Sequence, residues 1–408
     1  MAVTAKTIEG GVCAACGFAA AGVAAGIKKS GDRDVALVVC TVGDASAAGV
    51  GTRNVVCAPS VTRNRELLAG TGGRIRGVVV NAGCANVATG PRGVADNQRM
   101  ADLASAVVGG DVLTASTGVI GVHLPMERIA AGIESAGRSL GATRDDESAA
   151  AAAIMTTDLV SKETAREFEC AGVVARIGGM AKGSGMIAPD MATMLAFLTT
   201  DLAVEPAVLD TALRLAVDRS FNALTVDGDT STSDQCLAMA SGVAGNAPLA
   251  VPAGEDFDTF VAVLRDVCVD LARRIARDGE GATKLATVRV LGALSDGDAK
   301  QVARTIAESP LVKTALYGND PNWGRLMAAA GRAGIPFLPE KASARLAGVE
   351  VYRAGVPTSF DKSALSAAMR TDELAIEVDL GTGGPGDFTV FTCDFSYDYV
   401  RINAEYTT

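Results

Sequence analysis

Histidine is almost missing from this chain: there is one, His123, in 408 residues. Ser-His-Asp and Cys-His nucleophile devices, and histidine metal sites, would all rest on that ring. It sits among apolar neighbours in GVIGVHLPM and reads as a packed side chain rather than a general base. Aromatic residues are also scarce, at 4%, and no basic, aromatic-studded patch occurs. With a net charge of -10 the chain is not expected to bind nucleic acid or anionic membrane surfaces, because a long-range field of that sign repels them. One uncharged run, GGVCAACGFAAAGVAAGI at 10–27, has the length of a membrane span. It is built from Gly, Ala and Cys, and Lys28 and Lys29 follow it rather than lead it, so neither a span nor a signal is expected and the protein reads as cytoplasmic.

Other signatures are absent too. Glycine-rich GGMAKGSG (178–185) lacks the GxxxxGK[ST] spacing of a phosphate loop, and DGDTSTSD (227–234) lacks the twelve-residue calcium pattern ending in Glu, so it reads as a polar turn. Nine cysteines are spread from Cys13 to Cys393, too sparse for a disulfide framework. Reduced, mostly buried thiols follow. The Cys13/Cys16 CxxC pair has no second ligand pair at metal spacing, and neither a metal nor a resident cofactor is expected.

What remains is an ordinary globular composition, 49% hydrophobic, rich in Gly and Ala that permit close helix-on-sheet packing. DVALVVC (34–40), RGVVVNAGC (76–84) and DVLTASTGVIG (111–121) read as strands, and 97–108 and 125–137 as helices. A polyalanine helix opens on acidic residues at 145 and breaks near Thr156 and Thr157; EFECAGVVARIGGM then turns like a hairpin. Phe257, Val261, Leu264, Cys268, Leu271 and Ile275 recur at helical spacing. The segment 373–403 reads as two or three strands around a Gly-Pro-Gly turn. These patterns predict a mixed, layered α/β protein without an obvious interdomain hinge.

KGSGMIAPDMATMLAFLTTD (182–201) places Thr193 between a glycine-rich loop and an apolar strand. A chain short of histidine has one compact way to activate a hydroxyl: cut the backbone before a threonine and use the freed α-amine. Its ordinary pKa of about 7.7 to 8.0 leaves roughly a tenth to a sixth neutral at pH 7, and the hydroxyl lies on the same residue. Bare chemistry alone leaves Thr193 one threonine among many.

KGSGMIAPDMATML, together with STGVIG (116–121), SFNALTVDGDTSTSD (220–234), DGEGATK (278–284), GNDPNWGR (318–325) and YVRINAEYTT (399–408), resembles the ornithine acetyltransferase (ArgJ) family of arginine biosynthesis, the bifunctional glutamate N-acetyltransferases. The motifs run in consistent order from GGVCAACGF to the last residue. The resemblance implies a layered α/β sandwich of N-terminal-nucleophile-like type, mixed sheets with flanking helices, and self-cleavage between Ala192 and Thr193. Residues 1–192 would form an α chain. Residues 193–408 would form a β chain with a strand-rich C-terminal subdomain from about 285.

By the same resemblance Thr193 is the acyl-accepting nucleophile and Thr117 and Gly118 form the oxyanion hole. Thr156 or Thr157, Lys182, Glu280, Asn403 and Thr408 contact substrate. The implied donor is N-acetylornithine and the acceptor glutamate, with acetyl-CoA a possible further donor. The implied assembly is a heterotetramer of two α and two β chains. Two departures stand out: Asp190, where the family often has Asn, brings an extra carboxylate near the new amine, and VCAACGF is rich in cysteine. The alternatives are an aminopeptidase or amidase of related fold that passes the acyl group to water, and a noncatalytic scaffold with a structural Thr193; YVRINAEYTT and DGEGATK favour the transferase.

Overall fold

The computed structural model describes residues 5–188 and 194–405; Ala192, Thr193, Asp190 and Thr408 lie outside the described residues. A seven-stranded sheet runs Ala5–Ile8, Lys162–Cys170, Val173–Lys182, Leu195–Thr200, Gln235–Ala240, Ala45–Gly51, Arg74–Ile75 in spatial order. Beside it lies a four-stranded sheet of Phe18–Val23, Val35–Cys40, Gly77–Cys84 and Val112–Val119.

Alternation of side chains explains how these sheets stack. In Leu195–Thr200, Ala196 and Leu198 face one core with Leu213, Leu264 and Leu271 of the helices Pro206–Asp218 and Glu255–Arg277. Leu195 and Phe197 face the opposite core, against Val38, Val80 and Leu113 of the four-stranded sheet. Both faces of this strand are therefore buried, which is why its sequence is a continuous apolar run instead of an alternation. The outer face of the four-stranded sheet packs Leu37 and Val79 against Met100, Ile129 and Ile133 of the helices Gly90–Val108 and Met126–Arg138. The result is a four-layer α/β/β/α sandwich, and the paired strands and the long amphipathic helix follow the sequence expectation closely.

The chain from Leu285 onward builds a third core on a six-stranded sheet, ordered Val356–Pro357, Val349–Arg353, Ser343–Leu346, Glu373–Asp379, Leu285–Ala293, Gly386–Cys393, covered by the helices Asp296–Ala307, Pro310–Tyr317 and Trp323–Gly331. Two expectations change here. The strands flanking the Gly-Pro-Gly turn do not pair with each other, because Leu285–Ala293 lies between them, parallel to one and antiparallel to the other. And no strand follows: Tyr397–Glu405 is a helix, despite its Tyr, Val and Ile content. His123 is a third correction; it is exposed on the turn after Val112–Val119 and is not packed in a core.

Candidate active site

Seven of the residues singled out from sequence line one cavity of about 140 Å³: Thr117, Gly118, Thr156, Thr157, Lys182, Glu280 and Asn403. Ile187 and Met194, on either side of the undescribed 189–193, line it as well. His123 does not.

Each side chain arrives by a different local rule. Thr117 and Gly118 end the strand Val112–Val119, in parallel register with Ala82 and Gly83. Gly118 has φ +123°, and a Cβ there would lie 2.4 Å from the carbonyl carbon of Gly83, so only glycine lets the two strands close at this point. Thr156 and Thr157 follow the polyalanine helix, which ends at Ala153. Lys182 is the last residue of Val173–Lys182 and pairs with Leu195 across the sheet.

Under this floor is a buried charge network. Asp158 accepts hydrogen bonds from Lys162 Nζ at 2.7 Å, Gly183 N at 2.7 Å and Thr156 N at 3.0 Å, and its carboxylate lies 3.9 Å from Lys182 Nζ. Burial works against its charge, but the ammonium groups of Lys182 and Lys162 outweigh that and hold its carboxyl well below the usual range. Lys162 also reaches Asp278 at 2.6 Å. Lys182 Nζ in turn donates to Thr156 Oγ1 at 2.6 Å, so its position is fixed from two sides.

The opposite wall is acidic. Asn403 Nδ2 donates to Glu280 Oε2 at 2.9 Å and to Tyr399 O at 3.0 Å. Tyr399 and Asn403, one helical turn apart, both face the cavity. Gly185 packs directly on the Glu280 carboxylate: a Cβ there would meet its Cδ at 2.4 Å. Asp227 accepts backbone N–H bonds from Met186 at 2.6 Å and Ile187 at 2.8 Å and so sets the course of the glycine-rich loop; burial nevertheless pushes its carboxyl up. Asp234 is 5% exposed, and its Oδ2 has no hydrogen-bond partner. Burial pushes its acidity well down, with the Ser231 hydroxyl and the Lys182 charge pulling the other way.

Sequence reasoning passed over Asp158, Asp227, Asp234 and Tyr399. The signals were present: Asp158 closes the MTTD quartet, and Asp227 and Asp234 bound the DGDTSTSD stretch read as a polar turn. Among the described residues no cluster of His, Cys, Asp and Glu is arranged to hold a metal, and no helix is long and apolar enough to cross a membrane. All nine thiols are free: six are buried, Cys13 and Cys57 are half-buried, and Cys16 is exposed.

Chemically the cavity offers an oxyanion-type corner (Thr117 and Gly118), one cation for a carboxylate (Lys182), and a carboxylate wall for an ammonium group (Glu280 and its neighbours). That combination suits a zwitterionic amino acid undergoing acyl transfer.

The sequence profile of the ArgJ family matches residues 19–408. The arginine biosynthesis bifunctional protein ArgJ of Parasynechococcus marenigrum is 47% identical over 411 residues, covering 99% of this chain and 97% of that protein. The ArgJ of Thermus thermophilus is 49% identical over 396 residues, 96% of this chain and 98% of its own length. A crystal structure of the Bacillus halodurans ArgJ superposes with a TM-score of 0.51 at 44% identity, covering 52% of this chain and all of that one. A profile match over nearly the whole sequence, and relatives close to half identical from end to end, place the chain in the ArgJ family.

Proposed function

We propose that this chain is a self-cleaving acetyltransferase of arginine biosynthesis that moves the acetyl group of N-acetylornithine to glutamate through a threonine ester. The observation that carries the reading is the convergence of Thr117, Gly118, Lys182 and Glu280 on one cavity at the start of the Leu195–Thr200 strand, which begins two residues after Thr193 in the sequence. Family membership supports it independently. The solved Bacillus chain, matching about half of this sequence over its whole length, is consistent with a precursor that is cut near its middle.

In maturation the Thr193 hydroxyl attacks the Ala192 carbonyl and the peptide nitrogen is released as the chain shifts to an ester. Water opens that ester, leaving a carboxylate on Ala192 and an amine on Thr193. In turnover the amine takes the hydroxyl proton as the oxygen adds to the acetyl carbonyl, then returns it to the departing ornithine nitrogen. The glutamate amine next adds to the threonine ester and N-acetylglutamate leaves. A negative oxygen develops at each addition, and the Thr117 hydroxyl with the Gly118 N–H stabilises it. Lys182 receives the α-carboxylate; Glu280, steadied by Asn403, receives the ammonium end; Thr156, Thr157 and Thr408 complete the contacts. Acetyl-CoA serves as a second donor in a bifunctional member. No resident cofactor takes part, and the protein works in the cytoplasm as a heterotetramer.

Intact mass under denaturing conditions, beside a Thr193→Ala variant, tests the reading. Two fragments meeting at 192/193 in the wild type and one whole chain in the variant are expected. An uncut chain in active wild-type protein sinks the mechanism. Supplying N-acetylornithine with and without glutamate then separates transfer from hydrolysis: acetate release unaffected by glutamate would make the protein an amidase.

A further inference from the structure

Glutamate and N-acetylornithine make opposite demands at the far end of the side chain. Both present an α-carboxylate, but ornithine ends in an ammonium group and glutamate in a second carboxylate. Among the described residues, the cavity lining answers the ammonium with Glu280 and its acidic neighbours and holds one cation, Lys182. With Lys182 on the α-carboxylate, none is left in the lining for the second. Lys162, beneath it, is spent on Asp158 and Asp278. The side-chain carboxylate of glutamate therefore needs a cation from just outside the lining.

Lys28 stands one glycine behind the oxyanion corner. Gly83 opposes Gly118 in the parallel register of the strands Gly77–Cys84 and Val112–Val119. A Cβ on Gly118 would lie 2.7 Å from Gly83 Cα, and a Cβ on Gly83 would lie 3.4 Å from Lys28 Cγ. The Lys28 stem and the cavity-lining Gly118 thus pack against the same residue. The loop that carries Lys28 is fixed from within. Asp34, fully buried, accepts the backbone N–H groups of Ala25 at 2.7 Å, Ile27 at 2.5 Å and Lys28 at 3.0 Å, and its own carbonyl accepts from Ala82 N at 2.9 Å, one residue before Gly83. Asp34 is consumed by the backbone, not by the ammonium. Lys28 is half-buried; its Nζ donates to Arg33 O at 2.5 Å and, among the described residues, forms no ion pair, so two of its three N–H groups remain for a ligand. Burial pushes its ammonium down, with the charges of Asp34, Asp32 and Asp158 pulling the other way and that of Lys182 adding to the push. Asp158 and Lys182 belong to the site, so Lys28 lies within the site's field.

We propose that Lys28 is the specificity-determining residue for the acceptor: its ammonium receives the side-chain carboxylate of glutamate during the second transfer. This rests on the reading of the chain as a transferase with glutamate as acceptor. Lys182 and Lys28 divide the two carboxylates of glutamate between them. Ornithine, whose side chain ends in ammonium, is turned away from Lys28 by like charge and toward Glu280. One cavity thereby serves two amino acids with opposite tails. The bound carboxylate also supplies the charge partner that Lys28 lacks, at a half-buried place where such a pair is screened less than on the open surface.

The experiment compares wild type with Lys28→Met, which keeps an apolar stem on Gly83 and removes the charge. Rapid quench with N-acetylornithine alone gives the rate of ornithine release in the first turnover, a step without glutamate. Steady-state kinetics then give kcat/KM for glutamate, which in a double-displacement reaction reports only the second transfer. Loss of a charge-assisted hydrogen bond should lower kcat/KM for glutamate by about tenfold to a hundredfold in Lys28→Met, well beyond any change in ornithine release. A loss of the same size in both steps overturns the proposal, because Lys28 would then serve the oxyanion corner or the fold. An unmoved kcat/KM for glutamate overturns it as well. Where Lys28→Met does not fold, amine-directed footprinting of wild-type enzyme decides: glutamate is expected to protect Lys28 but not the exposed Lys29, and equal labelling of Lys28 with and without glutamate refutes the contact. A wild type that releases no ornithine from N-acetylornithine would instead bring down the underlying reading, so the two failures are distinct.

Discussion

Replacing Asp158 by Asn tests whether the buried network under the cavity is an energetic necessity. The carboxylate is fully buried and bonded to Lys162 Nζ and two backbone N–H groups, with Lys182 Nζ 3.9 Å away. Asn can still accept the Gly183 N–H, but it carries no charge, and its amide end would face a lysine ammonium. Lys162 retains Asp278 at 2.6 Å, whereas Lys182 loses its carboxylate. Breaking one buried ion pair of this kind costs about 3 to 5 kcal/mol. Urea unfolding at pH 7, with both proteins in a Thr193→Ala background so that a single chain unfolds, should show that gap. The pH dependence supplies a second check with a definite sign. A carboxyl held below its ordinary value in the fold stabilises fully above the unfolded pKa and loses that contribution as pH falls through about 3.9 toward the folded value. Since only the unfolded group takes up protons near pH 3, the gap should be about 1.3 kcal/mol narrower there than at pH 7. A gap under about 1 kcal/mol at pH 7, or one that does not narrow in acid, would refute the reasoning.

Thr117→Ala removes one donor from the oxyanion corner and should lower kcat by about a hundredfold or more in cleaved enzyme; turnover within threefold of wild type would remove Thr117 from the mechanism. Gly185→Ala sets a methyl 2.4 Å from the Glu280 carboxyl carbon at a site without backbone strain, so the side chain must swing aside. KM for N-acetylornithine is expected to rise about tenfold with the melting temperature little changed, and an unchanged KM would mean that Glu280 does not bind substrate. Thiol titration of native protein should find Cys16 reacting fast while Cys13, three residues away and pushed up to about 12 by burial and the nearby Glu147 and Asp146 carboxylates, stays unmodified at pH 8. Equal rates at the two would contradict that placement.

Much of the sandwich was legible because its elements obey simple periods. Glu255–Arg277 shows its buried stripe at helical spacing, and Leu195–Thr200 is uniformly apolar because two cores claim its two faces. Strand order was not legible, since no local pattern says that Leu285–Ala293 inserts between two strands adjacent in sequence. Tyr397–Glu405 misled for a physical reason: with no side chain fully buried, it carries no apolar stripe, and its helical nature shows only in Tyr399 and Asn403 turning together toward the cavity. The acidic side chains of the site escaped notice because an isolated Asp in a polar run looks the same whether it is solvated or, as with Asp158 and Asp234, enclosed.

A chain cut in its middle must keep the halves together without the bond that joined them, and the sheet topology supplies the means. Reading across the seven strands, three come from before residue 193, then two from after it, then two more from before. The pair Leu195–Thr200 and Gln235–Ala240 is thus clasped on both sides, by Val173–Lys182 and by Ala45–Gly51, each through a full six-residue antiparallel register. Both ladders are made by residues outside 189–193, so separating fragments formed by the proposed cut at 192/193 would require undoing them and the two cores that share the clasped strands. The proposed cut would divide the cavity the same way, with Thr117, Thr156 and Lys182 before it and Glu280, Asp234 and Asn403 after it. The strand Leu195–Thr200, which the proposed cut would leave near a new chain end, is buried on both faces and paired on both edges, so its position does not depend on the bond that the cut would remove.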